Sequence, residues 1–253
     1  RSAKRSLNLL FADWANRGLN QWTIEEVSIT LATGIRDYPG GTLTMTVGSS
    51  TSFSVGETLT GGTSAATASV TSKPSSTALA ITIPSGTFSS GETIIGGTSG
   101  ASSTLAAAVD LTNVQSTIDI LSAVVTRDST DFEIERVSRS SFLNIPNKSQ
   151  SGRPNQFFLN RQITPVLQIW PAPENDTDIV KFNRLTRIDD ADAYTNTAEV
   201  PFRFYPCLTA GLAYYLSMKR NPQLMGALKT IYEEELQRAL DEDRDRASLR
   251  ISP

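Results

Sequence analysis

The sequence predicts an α+β protein with a helical bundle, a β-sheet region and a separate, inserted small all-β domain. The bundle is expected to combine an N-terminal helix with a C-terminal antiparallel helix pair. Three observations predict this. Apolar residues recur at helical spacing at both ends of the chain, and residues with a period of two fill much of the middle. Charge also nearly vanishes between Gly40 and Thr117, where only Glu57, Lys73, Glu92 and Asp110 remain of 23 basic and 26 acidic side chains. The expected division is therefore a core of residues 1–39 and 118–253, interrupted by a β domain at 40–117.

The first helix is expected over Ser6–Arg17. Leu7, Leu10, Phe11 and Trp14 fall on one face, and Gly18 stands where a helix ends on a left-handed residue. Ile24–Leu31 alternates as a strand does. Inside the charge-poor stretch, Phe53-Ser54-Val55-Gly56-Glu57-Thr58-Leu59-Thr60-Gly61-Gly62-Thr63-Ser64 returns 35 residues later as Phe88-Ser89-Ser90-Gly91-Glu92-Thr93-Ile94-Ile95-Gly96-Gly97-Thr98-Ser99. A disordered linker does not repeat an apolar pattern so faithfully, so two copies of one β unit are expected to pack together. Leu43–Val47 and Ala78–Ile83 read as strands, and the Gly-Gly steps as positive-φ turns.

Further strands are expected at Asp119–Thr126, Phe132–Val137, Gln156–Asn160, Val166–Trp170 and Asp178–Leu185, with prolines at their ends and edges. Phe204, Leu208, Leu212, Tyr215 and Leu216 then recur at helical spacing. Asn221-Pro222 reads as the cap and first residue of a second helix, whose apolar face runs Met225, Leu228, Tyr232, Leu236, Ala239 and Leu240. The short connection makes the two helices antiparallel.

Composition excludes several chemistries. The protein has no histidine, which removes the Ser-His-Asp triad and His-based metal sites, and one cysteine, Cys207, which cannot close an intrachain disulfide. Cys207 reads as a small packing residue, in keeping with a reducing compartment. A net charge of −3 argues against tight wrapping of nucleic acid. No apolar leader opens the chain, and its start at Arg1 is read as missing native N-terminal residues.

The candidate sites are few, and no catalytic, cofactor or metal residue is assigned. Asp189, Asp190 and Asp192 cluster, but without the glycine and further oxygen ligands of a calcium loop they read as solvated. Glu57 and Glu92 form a repeated carboxylate pair, and equivalent repeat positions more often share a structural role, such as bonding turn amides, than a catalytic one. The Gly-Gly-Thr-Ser segments lack the lysine of a phosphate loop. Lys148 and Arg153 lie in a polar loop that could touch a DNA phosphate or a partner carboxylate. The acidic face of the last helix, with Glu234, Asp241, Glu242 and Asp245, is either solvated or lines a channel, where clustered carboxylates would let a duplex slide without sticking.

An ordered series of segments carries a resemblance. It comprises Arg5-Ser6-Leu7-Asn8-Leu9-Leu10-Phe11-Ala12-Asp13-Trp14-Ala15-Asn16-Arg17-Gly18, Asp119-Ile120-Leu121, Phe142–Lys148 with Gly152-Arg153-Pro154, Trp170-Pro171-Ala172-Pro173, Val200-Pro201 and Glu242–Ser248. Together these resemble the head-to-tail adaptor proteins of short-tailed bacteriophages over about Arg5–Tyr38 and Ile118–Pro253. The charge-poor stretch departs from the simplest pattern of that family, in which the strand near Tyr38 leads almost directly to the Asp119 strand.

The resemblance implies a structural virion protein without enzymatic activity or cofactor, assembled in the host cytoplasm and located at the head–tail junction. It implies a homo-oligomeric ring, a dodecamer in the family, that joins the portal to the tail nozzle and fibres. DNA passes through its lumen without specific binding, and the ring helps retain the packaged genome. Portal binding is assigned by analogy to the terminal segment Ala247, Ser248, Leu249, Arg250, Ile251, Ser252 and Pro253, and the inserted β domain is expected to meet a fibre or capsid protein. The alternative is a carbohydrate-binding or adhesive β protein oligomerised by its helices, for which the charge-poor stretch offers only Phe53 and Phe88 as aromatic platforms.

Overall fold

The computed structural model describes residues 2–188 and 200–243, and among them the protein is α+β, with five helices and three sheets. It is richer in strand than the expected helical bundle suggests. Residues 25–186 form one compact unit, and the two ends of the chain, 1–24 with 187–253, form another.

In the first unit, two four-stranded sheets share one core. One has the order β1 (Ile24–Thr30), β14 (Ile179–Thr186), β9 (Thr117–Arg127), β10 (Thr130–Glu133). The other runs β11 (Glu135–Arg136), β12 (Gln156–Asn160), β13 (Val166–Trp170), β2 (Asp37–Pro39). Alternation puts Val27, Ile120, Val125, Val180 and Phe182 inward from the first sheet, against Tyr38, Phe157, Leu159, Leu167 and Ile169 from the second. The strand expected at Phe132–Val137 is split. Ile134 turns into the core and donates its amide to Ala123, while Glu135 donates to Asn155, so the chain passes from one sheet to the other there.

The charge-poor stretch forms a six-stranded sheet in the order β3 (Thr44–Thr46), β6 (Ala78–Ile81), β5 (Thr67–Ser75), β4 (Thr58–Gly61), β7 (Thr93–Gly96), β8 (Ser102–Thr104). Its two edges meet. Val47 bridges Leu105, Gly48 donates to Thr104 at 3.0 Å and Ala106 to Thr46 at 2.9 Å, which closes the sheet into a small barrel. Phe53, Leu59, Val70, Leu79, Ile81, Phe88, Ile94 and Leu105 fill it.

The repeat seen in sequence is a local two-fold axis. β4 pairs with β7 so that Thr60 faces Ile95, its own equivalent 35 residues on. Backbone bonds are reciprocal as well: Gly62 donates to Thr93, and Gly97 to Thr58, both at 2.8 Å. On the other side of the barrel β3 pairs with β6. Closure leaves no long free edge, which is how a Thr- and Ser-rich sheet avoids pairing with other chains.

In the second unit α1 (Ser2–Arg17), α4 (Tyr205–Arg220) and α5 (Met225–Glu242) pack around Leu10, Phe11, Trp14, Phe204, Cys207, Tyr232 and Leu236; two short helices, α2 (Thr112–Gln115) and α3 (Arg139–Leu143), lie in the first unit. Helix α1 starts earlier than expected, and Gly18 ends it at φ 84°. Phe11, Trp14, Trp22 and Phe204 form an aromatic chain with centroids 6.0, 6.4 and 4.8 Å apart. Gly211 lets α1 and α5 approach α4, since a Cβ there would lie 2.6 Å from Leu10 and 2.9 Å from Tyr232. Asp13 accepts from Tyr232 Oη at 2.6 Å and from Arg17, which also pairs with Glu233, tying α1 to α5.

Two local expectations are corrected. Asn221 makes no side-chain cap; Pro222–Leu224 is a 3-10 turn that leads into α5, and this leaves Met225 exposed rather than on the buried face. The Gly-Gly steps are not positive-φ turns. Within the barrel positive φ falls at Gly56, Ala65, Gly86, Gly91 and Gly100, and the pairs serve a different purpose.

Candidate functional site

That purpose is close approach to a carboxylate. Glu57 accepts from its own turn at Ser54 N (2.6 Å) and crosses the axis to Thr98 N (3.2 Å), Ser99 N (2.9 Å) and Ser99 Oγ. Glu92 does the same with Ser89 N (2.6 Å), Thr63 N (3.1 Å), Ser64 N (2.9 Å) and Ser64 Oγ. A Cβ on Gly61 would lie 2.7 Å from Glu92 Oε2, and one on Gly96 2.6 Å from Glu57 Oε2. Each glutamate therefore holds the Gly-Gly-Thr-Ser turn of the other repeat. Burial is the largest influence on both and raises their pKa values, yet the convergent donors outweigh it and hold both carboxyls below the ordinary range. A carboxylate with its oxygens so occupied bonds turn amides and has no lone pair directed at a substrate.

A second buried polar cluster sits where the chain enters and leaves the barrel. Arg184 of β14, 2% exposed, donates to Asn113 O at 2.7 Å and Thr117 Oγ1 at 2.9 Å and pairs with Glu25. Thr117 Oγ1 in turn donates to Gly40 O at 2.8 Å. Gly41 has no room for a side chain, because a Cβ would fall on the Arg184 guanidinium. One arginine thus fastens both connections.

The helical layer places the predicted acidic residues on the surface. Glu234, Asp241 and Glu242 are exposed on α5, with Gln237 donating to Asp241 at 3.3 Å; Asp245 lies outside the described residues. Beside them runs an apolar groove of about 680 Å³ between α4 and α5, lined by Phe202, Tyr205, Ala210, Ala213 and Ile231, with Arg203 and Glu235 also present. Phe202 is 83% and Ile231 50% exposed, an unusual amount of apolar surface for one small patch.

The loop cations are engaged within the fold. Lys148 Nζ donates to Leu143 O at 2.7 Å and Ile145 O at 3.1 Å at the end of α3, and the Arg153 guanidinium lies 3.8 Å from the Phe132 ring centroid. Cys207 is buried, and burial pushes its thiol up to about 12. Phe53 and Phe88 are inside the barrel core and present no platform on its surface. Ala247–Pro253 and Asp189, Asp190 and Asp192 lie outside the described residues. Among the described residues no cluster of three or more acidic or cysteine side chains could hold a metal, and no helix is long and apolar enough to cross a membrane.

Sequence reasoning missed the Arg184 clamp and the groove. The clamp had no signal, since its partners Glu25, Asn113 and Thr117 lie 159, 71 and 67 residues away in sequence. The groove had one: Tyr205–Met218 contains no charged residue, so α4 is apolar on more than the single face that packs inward. No protein-family model matches the chain, and no curated protein sequence matches it.

Proposed function

We propose that the chain is a structural ring protein of the head-to-tail adaptor kind, joining a phage portal to the tail and surrounding the DNA path. The observation that carries this reading is the outer surface of α4 and α5, where an exposed apolar groove runs beside a row of exposed carboxylates. The helical core beneath is already complete, so the groove adds nothing to the fold of the monomer, and assembly gives it a use. Carboxylates along a bore would repel DNA phosphates and keep a duplex moving.

In this reading α1, α4 and α5 are one subunit's share of a helical bundle around the bore. Residues 40–117 are an inserted β domain, whose low-charge surface suits a fibre or capsid protein. Ala247–Pro253 reach the portal, and the ring joins it to the tail nozzle. The ordered segments that resemble the adaptor family supply the copy number expected, a dodecamer.

The direct test is negative-stain imaging of the purified protein, alone and with portal. Closed rings with a bore wide enough for double-stranded DNA, stacked on portal in the mixture, are expected. A particle that neither closes nor joins portal overturns the proposal. Deleting Ala247–Pro253 should abolish portal binding and leave the subunit folded, and retained binding would reassign the contact.

A further inference from the structure

The groove has a counterpart on the other side of the same helical layer. Thr209 and Ala213 of α4 line the groove, whereas Gly211 faces α1, meeting Leu10. Positions two apart in a helix lie about 200° around its axis, so groove and α1 flank α4 on opposite sides. Helix α1 turns Leu10, Phe11 and Trp14 inward and leaves Arg5, Leu9, Ala12 and Asn16 exposed. Their spacing of four, three and four residues makes one outward stripe, with Leu9, 48% exposed, near its middle.

We infer that the groove of one copy receives the Leu9–Ala12 stripe of α1 from the next copy, head to tail. This names the subunit contact of the proposed ring and rests on that reading. Three features support the fit. Ala12 on the stripe and Ala210 and Ala213 in the groove allow helix axes to come within about 8 Å. The exposed cation Arg5 belongs to the stripe and Glu234 is exposed at the groove's rim, a pair of opposite sign, while the lining itself is balanced, with Arg203 present and Glu235 paired with Arg238. The two surfaces also differ and lie on opposite sides of the layer, so the contact repeats from copy to copy and ends only by closing a circle, whereas a groove-to-groove dimer would leave Leu9 uncovered.

The test uses Leu9→Glu, which spoils the stripe, and Ala213→Glu, which spoils the groove. Phe202→Asp serves as a second groove variant, and circular dichroism establishes that each is folded. Sedimentation over a broad concentration range should show wild-type assembly, and its loss in each variant alone. An equimolar mixture of Leu9→Glu with either groove variant retains one good stripe and one good groove, and should give a 1:1 dimer and nothing larger. A mixture that stays monomeric overturns the head-to-tail contact. Wild-type-like assembly by the folded variants overturns this interface and leaves the ring reading standing. A wild-type protein that stays monomeric both alone and when mixed with portal overturns both.

Discussion

The barrel and the helical layer solve the same problem in opposite ways. The barrel is small and almost uncharged, and it directs its few buried polar groups at one another: Glu57 and Glu92 each close the other repeat's turn, and the strand edges meet at Val47 and Leu105. The helical layer carries a large aromatic core and many charges, and it leaves Phe202, Tyr205, Ile231 and Leu9 outside. The barrel is complete as a single copy. The layer has surface to spare, and that contrast locates where a partner has most to gain.

The largest expected effect tests the barrel's internal symmetry. Glu57→Ala or Glu92→Ala would leave three turn amides and a serine hydroxyl without their acceptor, and buried groups so stranded cost about 1–3 kcal/mol each when water does not replace the partner. A loss of about 3 kcal/mol is expected for either, equal in the two to within about 1 kcal/mol. The barrel has no tryptophan, so the measurement is hydrogen exchange of segments 58–70 and 93–105. Strongly unequal losses would break the two-fold equivalence. Acid sharpens the same test. Both folded carboxyls titrate below their unfolded value near ~4.3, so their contribution is full above that value and fades as pH falls through the folded pKa values. A Glu57→Gln, Glu92→Gln protein should lose this acid limb.

A smaller effect is expected at the neck. Arg184→Met removes both donors that fasten Asn113 and Thr117, for about 2 kcal/mol, because Glu25 is half exposed and is rehydrated when its partner is lost. Exchange should rise at residues 40–42 and 113–117 while 58–70 stays protected. Equal deprotection of both segments would show that the barrel depends on the clamp for its own stability.

Much of this architecture was legible because periodicity is local. The spans Gln156–Asn160 and Val166–Trp170 match β12 and β13, and the 35-residue repeat announced a paired β unit, since each rests on neighbours in sequence. What escaped is what the third dimension decides. Nothing local tells that Glu92 reaches back to Thr63 and Ser64, so the Gly-Gly steps looked like turn formers when their lack of a side chain makes room for a carboxylate. Ile134 sits in an alternating run, and only the presence of a second sheet makes it a crossing point. The acidic residues of α5 were legible as an exposed face, but the groove beside them depends on which side of α4 packs against α1.

The smallest effect sets the helical layer against the barrel by sign. Asp243, at the end of α5, accepts from the Asn20 and Gln21 amides at 2.7 and 3.1 Å through one oxygen, while its other oxygen is buried without a partner among the described residues. Burial raises its pKa; the two amides and, at longer range, Arg203 only partly oppose it. The folded state then binds the proton more tightly than the unfolded chain, whose aspartate titrates near ~3.9, so this residue's penalty is present above the folded pKa and is relieved as pH falls through it. Mild acid therefore favours the helical layer before it harms the barrel. Asp243→Asn keeps an acceptor oxygen, should stay within about 1 kcal/mol of the parent at neutral pH, and should lose the gain on acidification. With Trp170 of β13 replaced by Phe, the emission of Trp14 and Trp22 reports on this layer during denaturation, and a variant that still gains stability between neutral pH and ~4 would place the titrating group elsewhere.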